Sequence, residues 1–165
     1  MKSKCLSVII VVLLLLCCGC SARVDDNYEQ QYSDLEYAPD FKLDDANSYY
    51  STLNDSDRSL LLFWATWCPH CKDVIDRIDS YNNQGKLSER LFTISEDESL
   101  EDLQSYSGKY PIRLDYEWEI FDSYRLEHIP TLFIVEGNGK IVASSEGGED
   151  CLELLDEYVA KEGLD

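Results

Sequence analysis

An uninterrupted apolar segment that leads straight into a closely spaced pair of cysteines constrains the fold of this chain more than any other feature. Residues 59–65, Ser-Leu-Leu-Leu-Phe-Trp-Ala, form a run of the kind that predicts a buried strand. Cys68 and Cys71 follow, and from Cys68 to Asn82 the apolar positions recur at helical spacing. A buried strand that feeds directly into a helix predicts an α/β domain.

The rest of the chain alternates predicted strands and helices. Residues 91–94 and 131–135 predict two more strands, and the turn at 137–140 predicts a hairpin to residues 141–143. The other expected elements are helices at 46–53, 100–106 and 151–160, an extended piece at 111–114, and a helical segment over Trp118, Phe121 and Tyr124, which we assign to the core. This order predicts a mixed sheet with helices on both of its faces.

Length and charge limit the possible functions. A chain of 165 residues with 44% hydrophobic content suffices for one domain with a buried core. Its formal net charge is -19, which excludes a nucleic-acid partner, because affinity for nucleic acids depends on Lys and Arg that neutralise phosphates. Partners are therefore expected to be basic or neutral.

Residues 1–19 predict a cleaved export signal. A short basic start is followed by an apolar stretch at 6–16, interrupted by Ser7, which is shorter than the roughly 20 residues of a membrane-spanning helix. The small residue Gly19 before Cys20 resembles the end of a bacterial lipoprotein signal, in which a cysteine becomes lipidated after cleavage. Leu16 lies one place earlier than such signals usually have their leucine, so Cys18 is a second candidate, and Cys20 is preferred.

Residues 20–40 are predicted to be an acidic tether, and residues 41–165 the folded domain. The tether is rich in Asp, Glu, Gln, Ser and Tyr and has no helical or alternating pattern. Its tyrosines provide the alternative that this segment packs on the edge of the domain. Of the seven cysteines, the exported domain keeps Cys68, Cys71 and Cys151, too few for a scaffold held together by disulfides.

Two segments resemble the signatures of the thioredoxin superfamily. They are 63–72, Phe-Trp-Ala-Thr-Trp-Cys-Pro-His-Cys-Lys, and 128–135, His-Ile-Pro-Thr-Leu-Phe-Ile-Val. They are most similar to the TlpA/ResA-like branch of membrane-anchored thiol-disulfide oxidoreductases. The resemblance implies a thioredoxin fold with a helical insertion before a strand that follows a cis-proline, here Pro130. It also implies an extracytoplasmic enzyme that needs no bound cofactor or metal.

The resemblance and the chemistry of thiols assign roles to the two cysteines. Cys68 is expected to be the nucleophile, because the positive end of a helix dipole favours its thiolate. Cys71, one helical turn later, is expected to resolve the mixed disulfide. The residues expected to tune the thiolate or to frame the substrate groove are Trp67, Pro69, His70, Ile129 and Pro130.

Other interpretations of these residues stay open. The cysteine pair could form half of a zinc site, or Cys68, His70 and Cys71 could bind copper, although His128 is the only other histidine. His70 could be a solvated helix residue without a tuning role. Cys151 is most simply a small buried residue, and the alternatives are a third redox thiol and an intermolecular crosslink.

The direction of electron flow is the least determined property. Many thioredoxins have an acidic residue six positions before the nucleophile, where this chain has Leu62, and ResA-like proteins often have a glutamate at the position of Pro69. The dipeptide Pro69-His70 is that of the periplasmic oxidase DsbA. We expect a reductase that exchanges disulfides with exported proteins and receives electrons from a membrane protein. The alternatives are a DsbA-like oxidase or isomerase, and a non-catalytic lipoprotein that binds substrate or copper.

Overall fold

The computed structural model describes residues 28, 32–54, 57–84, 87, 90–106 and 110–162. The predicted signal at 1–19 and the predicted lipidation site Cys20 lie outside these residues. Among the described ranges, no helix combines the length and the apolar character that crossing a bilayer requires.

A five-stranded mixed sheet forms the centre of the domain, as the sequence predicts. Its strands are β1 (Arg58–Trp64), β2 (Leu91–Ser95), β3 (Ile112–Leu114), β4 (Thr131–Glu136) and β5 (Ile141–Glu146). The spatial order is β3-β2-β1-β4-β5; β1, β2 and β3 run parallel, and β4 is antiparallel to β1 and β5. The helices are α1 (Tyr49–Thr52), α2 (Pro69–Asn82), α3 (Glu119–Ser123) and α4 (Gly148–Lys161), with a 3₁₀ turn at Gln104–Tyr106.

Strand β1 is buried on both faces because its side chains alternate between two apolar clusters. Leu60, Leu62 and Trp64 pack with residues of α2 and α4. Leu61 and Phe63 pack on the opposite face, with residues of α1 and α3. The continuous apolar run thus lies between two layers of helix, which confirms the predicted placement of helices on both faces of the sheet.

Helix α2 begins and ends where the sequence predicts. Pro69 occupies the first helical position, where a backbone N–H would have no acceptor within the helix. Cys68 is the N-cap residue. Its buried face consists of Cys71, Val74, Ile75 and Ile78. Because β1 and this face are fixed in the core, the turn between them has a defined position at the end of the sheet.

Helix α1 is shorter than the predicted helix 46–53. The Asp44 carboxylate accepts hydrogen bonds from the backbone N–H groups of Ala46 and Asn47, at 2.7 and 2.8 Å. This turn satisfies those groups outside a helix, so the helix starts only after the N-cap residue Ser48.

Two other predicted segments differ from the structure. Residues 100–106 form turns that end in the 3₁₀ turn, and the Asp102 carboxylate accepts hydrogen bonds from the backbone and hydroxyl of Ser99. The core assignment of Trp118 is wrong: this residue has a φ of 63° immediately before α3, and its side chain is 51% exposed. Phe121 and Tyr124 are buried, as predicted.

Residues 32–38, near the end of the predicted tether, lie along the outer edge of β5. The N–H of Tyr32 donates to the carbonyl of Ser144 at 2.9 Å, and the N–H of Ile141 donates to the carbonyl of Glu36 at 3.0 Å. An antiparallel bridge joins the next residue of the segment to the residue before β5. These contacts favour the alternative in which the segment packs on the domain, which then begins before residue 41.

Removal of the Asp115 carboxylate should destabilise the domain. Asp115 is buried, and its carboxylate accepts hydrogen bonds from the N–H groups of Ile120 and Phe121, both at 2.9 Å. Asp115→Ala leaves two donors of α3 unpaired, so we expect the free energy of unfolding to fall by about 1–3 kcal/mol in urea denaturation. Asp122→Ala, on the exposed side of α3, is the matched control and should change it by less than about 0.5 kcal/mol. Equal losses in the two variants would contradict the capping role.

Candidate active site

The two cysteines of the motif meet at the end of β1. The N–H of Cys71 donates to Sγ of Cys68 at 3.3 Å, which makes the Cys68 sulfur the cap of α2. The Cys68 thiol in turn donates to the carbonyl of Ile129 at 3.7 Å. Both cysteines are free thiols; Cys68 is 6% exposed and Cys71 is fully buried.

Burial separates the chemistry of the two thiols. Removal from solvent raises the pKa of the Cys71 thiol far above its ordinary value, and its hydrogen bond with Cys68 raises that pKa further. Cys71 therefore stays protonated at neutral pH and is a poor first nucleophile. This difference supports the prediction that Cys68 attacks first and that Cys71 acts later.

Asp97 holds the turn that carries Cys68. Its carboxylate accepts hydrogen bonds from the backbone N–H of Thr66 at 3.0 Å and from the hydroxyls of Thr66 and Ser95, both at 2.6 Å. Because Asp97 is 2% exposed, these bonds are shielded from water. Sequence reasoning missed this residue. The signal for it was an acidic pair directly after a strand that runs parallel to β1, since parallel strands end at the same edge of a sheet.

A cis peptide bond between Ile129 and Pro130 forms the opposite wall, as the resemblance implies. The carbonyl of Pro130 accepts the N–H of Gly147 at 2.9 Å and the thiol of Cys151 at 3.5 Å. Cys151 is fully buried, and burial raises its pKa to about 12. These observations favour the simplest interpretation of Cys151, a small buried residue that supports this wall.

A pocket of about 350 Å³ opens beside Cys68. Its walls include three predicted site residues, Trp67, Pro69 and Ile129, and the unpredicted residue Trp118. The two indoles are mostly exposed, at 65% and 51%, and make this end of the domain strongly aromatic. A pocket of this kind suits the apolar side chains of a polypeptide whose disulfide lies against Cys68.

His70 lies apart from that pocket. Its side chain is exposed and packs against the start of α4, where a Cβ on Gly148 would come within 3.1 Å of the His70 Cβ. Since His70 does not line the pocket, its tuning role stays a prediction. A second cavity, of about 250 Å³, lies at the other end of β1 beside Arg58 and is remote from the thiols.

The metal alternatives receive no support from the described part of the chain. Within it, no three His, Cys, Asp or Glu side chains are grouped closely enough to hold a metal ion. The second histidine, His128, is exposed and pairs with Glu146 at 3.2 Å.

The sheet, the capped helix and the paired thiols together define a dithiol protein of the thioredoxin fold. A family model described as the AhpC/TSA family matches residues 36–144, more than half of the chain. The chain therefore belongs to that family.

Named relatives specify the activity. The thiol-disulfide oxidoreductase ResA of Oceanobacillus iheyensis is 30% identical over 146 residues, which cover 82% of this chain and 74% of the relative. ResA of Bacillus subtilis is 27% identical over 121 residues, 69% of this chain and 68% of the relative. The chain is thus a thiol-disulfide oxidoreductase similar to ResA.

Solved structures agree on the fold. The crystal structure of StoA from Bacillus subtilis matches with a TM-score of 0.51 at 23% identity and covers 62% of this chain and 83% of StoA. A thio-disulfide isomerase from Thermus thermophilus matches with a TM-score of 0.57 at 24% identity and covers 76% of this chain and 94% of the isomerase. Both are thioredoxin-fold proteins, so the predicted fold is confirmed.

Replacement of the buried thiol should trap substrates. In Cys71→Ser, Cys68 can still attack a disulfide but nothing resolves the product, so mixed disulfides should accumulate and run as higher-mass bands on non-reducing gels. Cys151→Ser is the matched control and should accumulate none, because that thiol is buried behind the cis-proline wall. If Cys68→Ser traps the same partners as strongly as Cys71→Ser, the assignment of the nucleophile is wrong.

Proposed function

We propose that this protein is an extracytoplasmic reductase that exchanges disulfides with exported proteins through Cys68 and Cys71. The observation that carries the proposal is the pair of free thiols of unequal burial beside an aromatic pocket. Similarity to proteins named as thiol-disulfide oxidoreductases supports it.

The exchange runs through two attacks. The Cys68 thiolate attacks a substrate disulfide that lies in the pocket, and a mixed disulfide forms between Cys68 and the substrate. Cys71 then attacks the Cys68 sulfur and releases the reduced substrate. The short distance between the two cysteines supports this second attack, because the Cys71 N–H already contacts the Cys68 sulfur at 3.3 Å.

The resemblance to the TlpA/ResA-like branch favours the reductase over the oxidase. An oxidant of this fold gains oxidising power when its thiolate is stabilised, and a positively charged neighbour is one means to that end. His70 packs against Gly148 and does not line the pocket, and the reduction potential tests whether it acts on Cys68. A membrane redox protein that returns electrons to the Cys68–Cys71 disulfide would complete the cycle.

The reduction potential of the Cys68–Cys71 pair tests the direction. A reductase should equilibrate at roughly -270 mV, near thioredoxin, when titrated against glutathione or dithiothreitol and followed by thiol alkylation. A value of roughly -120 mV, near DsbA, would instead support the oxidase. Cys151→Ala should give the same potential, because the buried third thiol takes no part in the couple.

We further propose that residues 1–19 are removed and that lipidated Cys20 anchors the protein outside the cytoplasm. The basic start, the apolar stretch and Gly19 before Cys20 support this proposal. Tyr28 lies 5.7 Å from the Arg58 guanidinium and 4.4 Å from the Lys161 ammonium, both measured to the centre of its ring. Arg58 begins β1, whereas Cys68 follows the end of that strand. Tyr28 therefore contacts the domain at the end of β1 opposite the thiols.

Lipidation at Cys20 can be tested by metabolic labelling of the full chain with a fatty acid in a bacterial host. Cys20→Ser should lose both the label and the protein from the membrane fraction. Cys18→Ser should keep both, since Gly19 and Cys20 form the preferred signal end. The reverse outcome would move the lipid to Cys18.

A further inference from the structure

An acidic side chain lies in the pocket beside the reactive cysteine. Glu96 follows β2 directly, and its N–H donates to the carbonyl of Trp64 at 3.2 Å. Since β1 and β2 are parallel and pair Trp64 with Ser95, this bond holds Glu96 at the edge of the sheet where the Cys68 turn begins. The side chain of Glu96 lines the same pocket as Cys68 and is 9% exposed.

Structural needs of the fold do not account for this buried acid. The carboxylate of the next residue, Asp97, accepts hydrogen bonds from Thr66 and Ser95 and so has a structural role. The Glu96 carboxyl accepts none from any residue that the structure describes. Burial, together with the charge of Asp97, raises the pKa of Glu96 to about 7. Glu96 therefore exchanges its proton at neutral pH, unlike an ordinary glutamate.

The other titratable groups around Glu96 are few. Cys68 faces it from the turn before α2, and Glu127 and His128 face it from the loop before β4. Glu127 and His128 are exposed, whereas α3 contributes the uncharged Phe121 to the pocket wall. Glu96 is thus the buried carboxyl group of this pocket.

We propose that Glu96 is the proton donor and acceptor of the disulfide exchange, an inference that rests on the proposed function. The reaction needs such a group twice. A substrate thiolate must leave in the first step, and Cys71, whose pKa is raised by burial, must lose a proton in the second. Leu62 and Pro69 occupy the positions at which similar proteins have an acidic residue. Neither has an ionisable side chain, so neither can carry the proton.

The protons and electrons balance over both steps. The Cys68 thiolate attacks one sulfur of the substrate disulfide, the S–S bond breaks, and the other sulfur leaves with the electron pair and takes the proton of Glu96. Cys71 then passes its proton to the Glu96 carboxylate and attacks the Cys68 sulfur. The Cys68–Cys71 disulfide forms, and the remaining substrate sulfur leaves as a thiolate that solvent protonates. The substrate gains two electrons, the dithiol loses two, and Glu96 ends protonated.

Two disulfide probes separate proton donation from a structural effect. Glutathione disulfide releases an alkyl thiolate that gains from a proton, whereas dithiobis(nitrobenzoate) releases an acidic aromatic thiolate that does not. The rate of the first exchange step is measured for each probe by stopped flow at pH 6, with reduced protein. Glu96→Gln should slow the reaction with glutathione disulfide about tenfold or more and leave the aromatic probe unchanged.

Variants and pH complete the test. For wild type, the rate ratio of the two probes should change with an inflection near pH 7, and Glu96→Asp should keep an inflection that Glu96→Gln lacks. Glu98→Gln, two residues further along the chain, exposed and outside the pocket, is the matched control and should behave as wild type. Equal slowing with both probes, or no slowing in Glu96→Gln, would overturn the proton role while the proposed function stands. A wild-type protein that exchanges with neither probe would overturn both.

Stability provides a readout that does not depend on exchange. Because the pKa of Glu96 rises on folding from 4.5 to about 7, the native state binds this proton more tightly than the unfolded chain. This contribution is complete below pH 4.5 and is lost as the pH rises through 7. The melting temperature of wild type relative to Glu96→Gln should therefore fall between pH 5 and pH 8, and a constant difference would contradict the titration of Glu96.

Discussion

The parallel pairing of β1 with β2 is the constraint on which the active site depends. Parallel strands end at one edge of a sheet, so the turn after β1 and the acidic residues after β2 are brought together although some thirty residues separate them in sequence. Asp97 then binds Thr66 and fixes the approach to Cys68. If that turn were loose, the Cys68 sulfur would not hold its place between the Cys71 N–H and the Ile129 carbonyl.

Burial, rather than sequence order alone, gives the two thiols different tasks. Cys71 lies on the apolar face of α2, in contact with the core under the sheet, and this position keeps its proton in place. Cys68 lies one turn earlier, at the boundary between core and pocket. In the proposed reaction, Cys68 is therefore the sulfur that meets the substrate, and Cys71 acts only in the second step.

The sequence was informative where one local pattern determines the structure. The apolar run and the helical period located β1 and α2, and the Ile129–Pro130 segment was expected to be the wall that faces the thiols. Prediction from the sequence failed where the position of a residue depends on contacts with segments far away in the chain. The role of Asp97 requires knowledge of the strand register, and the exposure of Trp118 depends on a left-handed backbone conformation that its aromatic pattern does not indicate. The ordered segment at 32–38 was hidden by its polar composition, because its stability comes from backbone bonds to β5 rather than from apolar burial.

The position of residues 32–38 matters for the membrane anchoring proposed above, in which copies of the protein share one surface. The outer edge of a sheet is a template onto which a strand of another molecule can add, and proteins restricted to a surface meet one another often. In this chain the edge of β5 is already occupied by residues 32–38, where for example the carbonyl of Glu36 accepts the N–H of Ile141. Residues 32–38 thereby protect this edge of the sheet against pairing with a strand of another molecule.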